Sequence, residues 1–359
     1  MTDELSLKKK LLFYALPYLI LILILLVVEG GVRLSLPYIP SIQVYVTGTT
    51  HGDDHAGNAT FEGDPLLGWR LKPNLHDQWW DYTPFSTNSQ HVRYPADIKK
   101  KEPGALRIVC LGDSVTFGYR VPTTWADNPL AYDKAVLPYP GLLEDKLKAL
   151  LPGRKVEVIA WATPGYTSHQ GLAWIKRDIG WLQPDILIVN YGWNDSDYRA
   201  RADKDTLPSE SWQVGLRWLS AQSQAVVYAA RWLRSARNGS SAGVVAQQVN
   251  RVSSEDYVKN MMEITRIAQE HHAKPIILAQ VYRDAVSNPL QAKTIIENRI
   301  NLGGAAAQAG IPFIKIEELI ETGYPKNTAI FGEIVHPNHL GHRLMADVLY
   351  NYLANNSVL

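Results

Sequence analysis

A single cysteine in 359 residues, Cys110, excludes an internal disulfide, so stability must come from a packed core. Cys110 lies inside an apolar run and reads as a small buried hydrophobe, not as a reactive thiol. An excess of one charge is lacking too. Thirty-six Lys and Arg against 35 Asp and Glu leave a net charge of +1, which gives no electrostatic ground for a nucleic-acid partner. The chain has no internal repeat, no low-complexity tract, no glycine-rich phosphate loop and no zinc-finger spacing, so neither cofactor nor metal is expected. His51, Asp53, Asp54 and His55 form a metal-like cluster, but on a glycine-containing loop with no further ligand they read as ordinary loop residues.

Residues 11–28 contain no charge, follow Lys8-Lys9-Lys10 and precede Glu29. That length is close to what a helix needs to span a bilayer. A cleavable signal peptide is the competing reading, but residues 28–33 offer no clear small-residue cleavage site. The expectation is a cytoplasmic tail over 1–10 and an anchor over 11–28, with the lysines inside and everything after Arg33 outside. From 29 to 105 the composition turns to Pro, Gly, Asn, Asp and Thr with short aromatic pieces, which predicts a stalk and an irregular extension.

Beyond it, apolar runs at Arg107–Leu111, Val156–Trp161, Ile186–Tyr191, Pro275–Val281 and Ile311–Ile316 alternate with helical segments. Five such strands predict an α/β domain with a parallel sheet over 106–355. Ser253 is a plausible N-cap for a helix carrying Tyr257, Met261, Ile264 and Ala268, and Leu340, Leu344 and Val348 mark another. Residues 197–251 form an insertion. Its stretch Ser211–Arg237 carries Trp212, Trp218, Trp232 and four arginines with no acid, suited to a helical cap over the site or to a membrane surface. His271-His272 and His339/His342 read as helix-end and surface residues.

Chemistry is concentrated where strands end. Gly112-Asp113-Ser114 follows the first strand, Gly165 lies after the second, Asn194-Asp195 after the third, and Glu333-Ile334-Val335-His336-Pro337 precedes the last helix. In a doubly wound sheet, ligands bind outside the carboxyl ends of strands, so these positions converge. Ester chemistry needs a nucleophile, a base and oxyanion donors. Ser114 can attack, His336 can take its proton, and the N–H groups of Ser114 and Gly165 with the Asn194 amide can hold the oxyanion. The His336-Pro337 bond keeps His336 off the helix. Glu333 is placed to orient its second ring nitrogen. Asp113 and Asp195 read as structural, holding the loops through backbone hydrogen bonds.

The ordered set of Gly-Asp-Ser, Gly165, Gly-x-Asn-Asp and carboxylate-x-x-His-Pro resembles the SGNH or GDSL hydrolase family over about Arg107–Leu353. The resemblance implies a flavodoxin-like three-layer sandwich with a five-stranded parallel sheet, and gives the serine, glycine, asparagine and histidine roles to Ser114, Gly165, Asn194 and His336. The family usually has aspartate three residues before the histidine, where this chain has Glu333. The stretch Asp64-Pro65-Leu66-Leu67-Gly68-Trp69-Arg70-Leu71-Lys72-Pro73-Asn74 looks like the leader of membrane-anchored members from bacterial cell-envelope and polysaccharide systems. The implied protein is a single-pass inner-membrane esterase acting outside the cytoplasm on small acyl esters, O-acetyl groups of an envelope carbohydrate above all. An O-acyltransferase with the same site and a catalytically silent subunit of an envelope assembly remain alternatives.

Overall fold

The computed structural model describes residues 7–35, 60–80, 83–121, 136–199, 201–208, 212–215, 218, 223–226, 228–229, 232–233, 249–280, 293–316, 330–332, 335–356 and 358–359. The chain falls into two compact units. One comprises residues 1–58 and 209–245, the other residues 59–208 and 246–359.

In the first unit, α1 (Leu7–Ser35) contains a 22-residue stretch, Tyr14–Ser35, long and apolar enough to cross a membrane. Its exposed residues include Leu19 to Val28, an apolar surface with no protein against it among the described residues. Pro17 lies within the helix.

The second unit opens with two antiparallel pairs, β1 (Phe61–Asp64) with β2 (Gly68–Leu71), and β3 (Gln78–Trp80) with β4 (Thr83–Phe85). Phe61, Leu71, Trp80 and Phe85 are buried with Phe117, so the part of the 29–105 stretch from residue 60 onward is tied to the sheet unit by an aromatic core. The central elements follow: β5 (Leu106–Gly112), α2 (Ser114–Phe117), α3 (Tyr139–Leu150), β6 (Val156–Ala162), α4 (Ser168–Leu182), β7 (Ile186–Asn190) and α5 (Trp193–Ser196). Next come β8 (Tyr198–Arg199), α6 (Asp203–Thr206) and β9 (Val249–Asn250), then α7 (Ser254–Glu270), β10 (Lys274–Leu278), α8 (Lys293–Ala309), β11 (Phe313–Ile314) and α9 (His339–Asn355). Of the insertion, β8 and β9 pair with each other, so its two ends stay with the sheet unit while 209–245 does not.

All pairings in the five-stranded sheet are parallel, in the order β11-β10-β7-β5-β6. Counted by appearance this is 2-1-3-4-5, the flavodoxin-like winding. Each strand is apolar on both faces because both are covered. Val109, Leu111, Ile159, Trp161, Leu187 and Val189 pack with α4, α7 and α8; Ile108, Cys110, Val156, Val158, Ile186 and Ile188 pack with α3 and α9. Cys110 is fully buried, and burial pushes its thiol up to about 12, which leaves it inert.

Ser253 caps α7, its hydroxyl accepting from the Asp256 N–H at 3.1 Å. The α9 stripe is wider than Leu340, Leu344 and Val348, and this corrects one expectation. His342 is not a surface residue: it is 1% exposed, its Nδ1 accepts the Tyr139 N–H at 3.2 Å, and its ring runs nearly parallel to that of Tyr139 with centroids 6.2 Å apart. Burial, then the positive charge of Arg93, brings it down to about 3, so it is neutral and structural.

Candidate active site

β5, β6 and β7 end in register. Gly112 pairs with Ala162 on one side and Asn190 on the other. Ser114 is two residues past the first end, Gly165 three past the second, and Asn194 four past the third. The order of the sheet reverses between β5 and β7, so these loops open on the crevice where doubly wound sheets bind ligands. Glycine is obligatory at 112, because a Cβ there would lie 2.1 Å from Thr116 Oγ1 and 2.9 Å from the Asn190 carbonyl oxygen.

Asp113 caps α2, accepting the Val115 N–H at 2.9 Å, and Gly118 ends that single turn in the left-handed region at φ 81°. Arg93 clamps the exit. Its guanidinium donates to the carbonyls of Phe117, Gly118, Val121 and Pro84, so the loop after Ser114 is held by a residue from the N-terminal extension. Arg120, at φ 59°, takes a strained left-handed conformation where its N–H reaches Thr83 Oγ1.

Ser114 Oγ lies 2.8 Å from His336 Nε2. The histidine sits on a short loop closed by a bridge between Phe331 and Pro337 and by the Gly332 N–H donating to its carbonyl. Tyr119 packs on the imidazole, with ring centroids 4.2 Å apart, and so fixes the ring plane. Asn338 starts α9 immediately after, accepting from Leu340 and Gly341 N–H. Glu333 lies outside the described residues, as do His51, Asp53, Asp54 and His55. No group of three or more His, Cys, Asp or Glu able to hold a metal occurs among the described residues.

The other two candidates are wired to the serine loop. Asn194 Nδ2 donates to the Tyr166 carbonyl at 3.0 Å and to Asp113 Oδ2 at 3.2 Å. Gly165 takes φ 81°, a conformation that favours glycine, and its carbonyl accepts from Arg251 at 2.7 Å. Arg251 is itself held by Asp203 and Gln170, and stacks over Trp69. The leader stretch supports the same loop. The Trp69 indole N–H donates to the Pro164 carbonyl, Tyr166 donates its hydroxyl hydrogen to the Trp69 carbonyl, and the Leu67 carbonyl accepts from Gln170.

Two buried carboxylates underlie these loops. Burial pushes Asp113 up to about 6, against hydrogen bonds from Gln280 and Val115, and pushes Asp195 up to about 7, against hydrogen bonds from Ser168. Gln280 joins Asp113 Oδ2 at 2.9 Å to the Trp193 N–H, bridging the first and third strand ends from the fourth. Gln280, Arg251, Arg93 and Tyr119 were not expected from the sequence. Gln280 lies two residues past the end of β10, but the apolar run read as that strand extends to Val281 and so hides it; the others had no local signal.

A serine hydroxyl bonded to an imidazole at the carboxyl ends of a parallel α/β sheet is the nucleophile and base arrangement that acyl-transferring serine enzymes use. A sequence profile of the GDSL-like lipase/acylhydrolase family matches residues 110–344, more than half of the chain. The chain belongs to that family and is a serine ester hydrolase. Solved structures similar to it include a GDSL-like lipase from Bacteroides thetaiotaomicron, 15% identical, covering 72% of this chain and 93% of that one at a TM-score of 0.42. Others are the lipase/acylhydrolase from Enterococcus faecalis, 16% identical, 70% and 96% covered at 0.43, and an acetylxylan esterase from Geobacillus stearothermophilus with the same identity and score, 70% and 95% covered. No curated protein matches the chain.

Proposed function

We propose that the protein is a membrane-anchored esterase that removes small acyl groups, chiefly O-acetyl groups, from an envelope carbohydrate outside the cytoplasm, through an acyl-enzyme on Ser114. The 2.8 Å contact between Ser114 Oγ and His336 Nε2 carries this reading, because it is the nucleophile and base pair that the chemistry requires. His336 takes the hydroxyl proton as Ser114 Oγ attacks the acyl carbon. The oxyanion is received by the N–H groups of Ser114 and Gly165 and by Asn194 Nδ2, which releases its longer bond to Asp113 to do so, and the protonated His336 returns the proton to the leaving sugar oxygen. Water activated by His336 then releases acetate and restores the serine. Glu333 is the proposed orienter of His336, and Glu333→Gln is expected to leave a measurable fraction of activity. The ester chemistry needs no metal or cofactor.

Lys8, Lys9 and Lys10 before the apolar helix support an inner-membrane, single-pass orientation with the hydrolase unit outside. A signal sequence of the same composition is the competing outcome, read by whether residues 1–28 remain on the mature chain. Mass spectrometry of Ser114 after incubation with acetylated polysaccharide, with and without a deacetylated acceptor, tests the reaction. An acetyl adduct on Ser114 that decays to acetate in both cases is expected. Transfer to the acceptor in place of acetate release would convert the assignment to an O-acyltransferase, and failure of a fluorophosphonate to label Ser114 would point to a silent subunit.

A further inference from the structure

The stretch 209–245 leaves the sheet unit and groups with α1. The contact between them is specific. Glu29, the first charged residue after the apolar run, accepts the Ser223 hydroxyl at 2.8 Å and the N–H groups of Gln224 and Ala225 at 2.9 and 3.1 Å, while Arg33 donates to the same carboxylate. Residues 223–225 are therefore fixed at the level where α1 stops being apolar. Around them the described residues are helical at 212–215, 218, 224–226, 228–229 and 232–233. They present Trp212, Trp218, Val226, Trp232 and Leu233 outward, each about half exposed or more. Over Ser211–Arg237 the only charges are Arg217, Arg231, Arg234 and Arg237.

We propose that the face carrying Trp212, Trp218, Val226, Trp232 and Leu233 lies in the lipid headgroup region of the outer leaflet, its tryptophans at the boundary of the acyl chains, on a stretch whose only charges are cationic. Three features select a lipid surface over a protein partner. Tryptophan has an apolar ring and a polar N–H, and concentrates at membrane interfaces. Four cations without an anion match an anionic surface. The Glu29 contact places the segment at the mouth of the helix expected to span the bilayer, where an exposed apolar face meets lipid before it meets anything else.

The proposal rests on α1 spanning a membrane, and the test separates the two. The full chain is placed in lipid nanodiscs of phosphatidylcholine, with or without phosphatidylglycerol. An environment-sensitive fluorophore is attached at Trp218→Cys, Trp232→Cys, Ile22→Cys or Ile300→Cys, the buried Cys110 staying unlabelled, and retained ester hydrolysis reports folding. Lipids carrying nitroxide at the headgroup are expected to quench positions 218 and 232 about twofold more than 300, with stronger quenching when phosphatidylglycerol is present. Deep nitroxides should quench position 22. If 22 is quenched while 218 and 232 match 300, the interface proposal fails and the span stands; if 22 is not quenched, the span fails. Shielding of 218 and 232 that rises with protein density and not with nitroxide lipid would assign the face to a second copy and overturn the proposal. Glu29→Ala is expected to reduce quenching at 218 with 22 unchanged, and unaltered quenching there would remove the tether.

Discussion

The two ends of the central sheet treat the carboxylates buried there differently. At the amino ends, Arg107 is fully buried yet pairs with Glu157 at 2.7 Å and donates to the Leu182 and Lys99 carbonyls, while Lys101 pairs with Asp185. At the carboxyl ends, Asp113 and Asp195 are as deeply buried, but the hydrogen bonds they accept come from amides and one hydroxyl, and burial raises both toward neutrality. One end neutralises charge with charge. The other has such a pair too, Arg251 with Asp203 at 2.9 Å beside the Gly165 loop, but keeps Asp113 and Asp195 under electrostatic tension beneath the loops that carry Ser114 and Asn194, which is where perturbed groups mark function.

Substitutions can test that contrast. Ser114→Ala or His336→Ala should lower kcat for a small acetyl ester by at least about 10⁴-fold with the melting temperature unchanged; ordinary turnover in the Ser114→Ala protein would sink the assignment. Asn194→Ala removes a proposed oxyanion donor and the link to Asp113, and about 10²–10³-fold in kcat is expected, read by steady-state kinetics. At the opposite end, Arg107→Met should cost about 3 kcal/mol in denaturant unfolding while the folded fraction keeps its kcat. A loss of kcat with stability intact would erase the distinction between the ends.

The smallest effect concerns pH. Asp195 is raised from 3.8 to about 7, so the folded protein holds a proton that the unfolded chain releases across that window. Unfolding then gives up a proton, and stability from this group falls as pH rises from about 4 to about 7. Asp195→Asn keeps an acceptor for Ser168 without the charge. Its melting temperature should rise relative to the parent by a few degrees between those limits; a difference that does not change with pH would mean Asp195 is not raised.

Much of the site was legible because its residues mark the ends of apolar runs. Ser114, Gly165 and Asn194 could be placed together from a single rule about parallel sheets, and the His336-Pro337 bond placed His336 on the loop before the last helix, where it meets Ser114. What escaped was long-range. Arg251 meets Gly165 across 86 residues and Gln280 meets Asp113 across 167, with no local pattern pairing either with its partner. His342 was misjudged for a local reason: it shares helical spacing with Met345 and Leu349, which are core, but reading the stripe from Leu340 hid that face.

Arg93 bears on where this enzyme can be cut. The family match starts at residue 110, and a chain shortened to begin there would keep every strand of the central sheet except the first residues of β5. It would nevertheless lose the Arg93 guanidinium that anchors the Phe117, Gly118 and Val121 carbonyls of the nucleophile's loop, together with Trp69, which props the glycine loop. A chain that keeps these supports begins near residue 60, so the extension ahead of the matched stretch serves the candidate site although the family profile leaves it out.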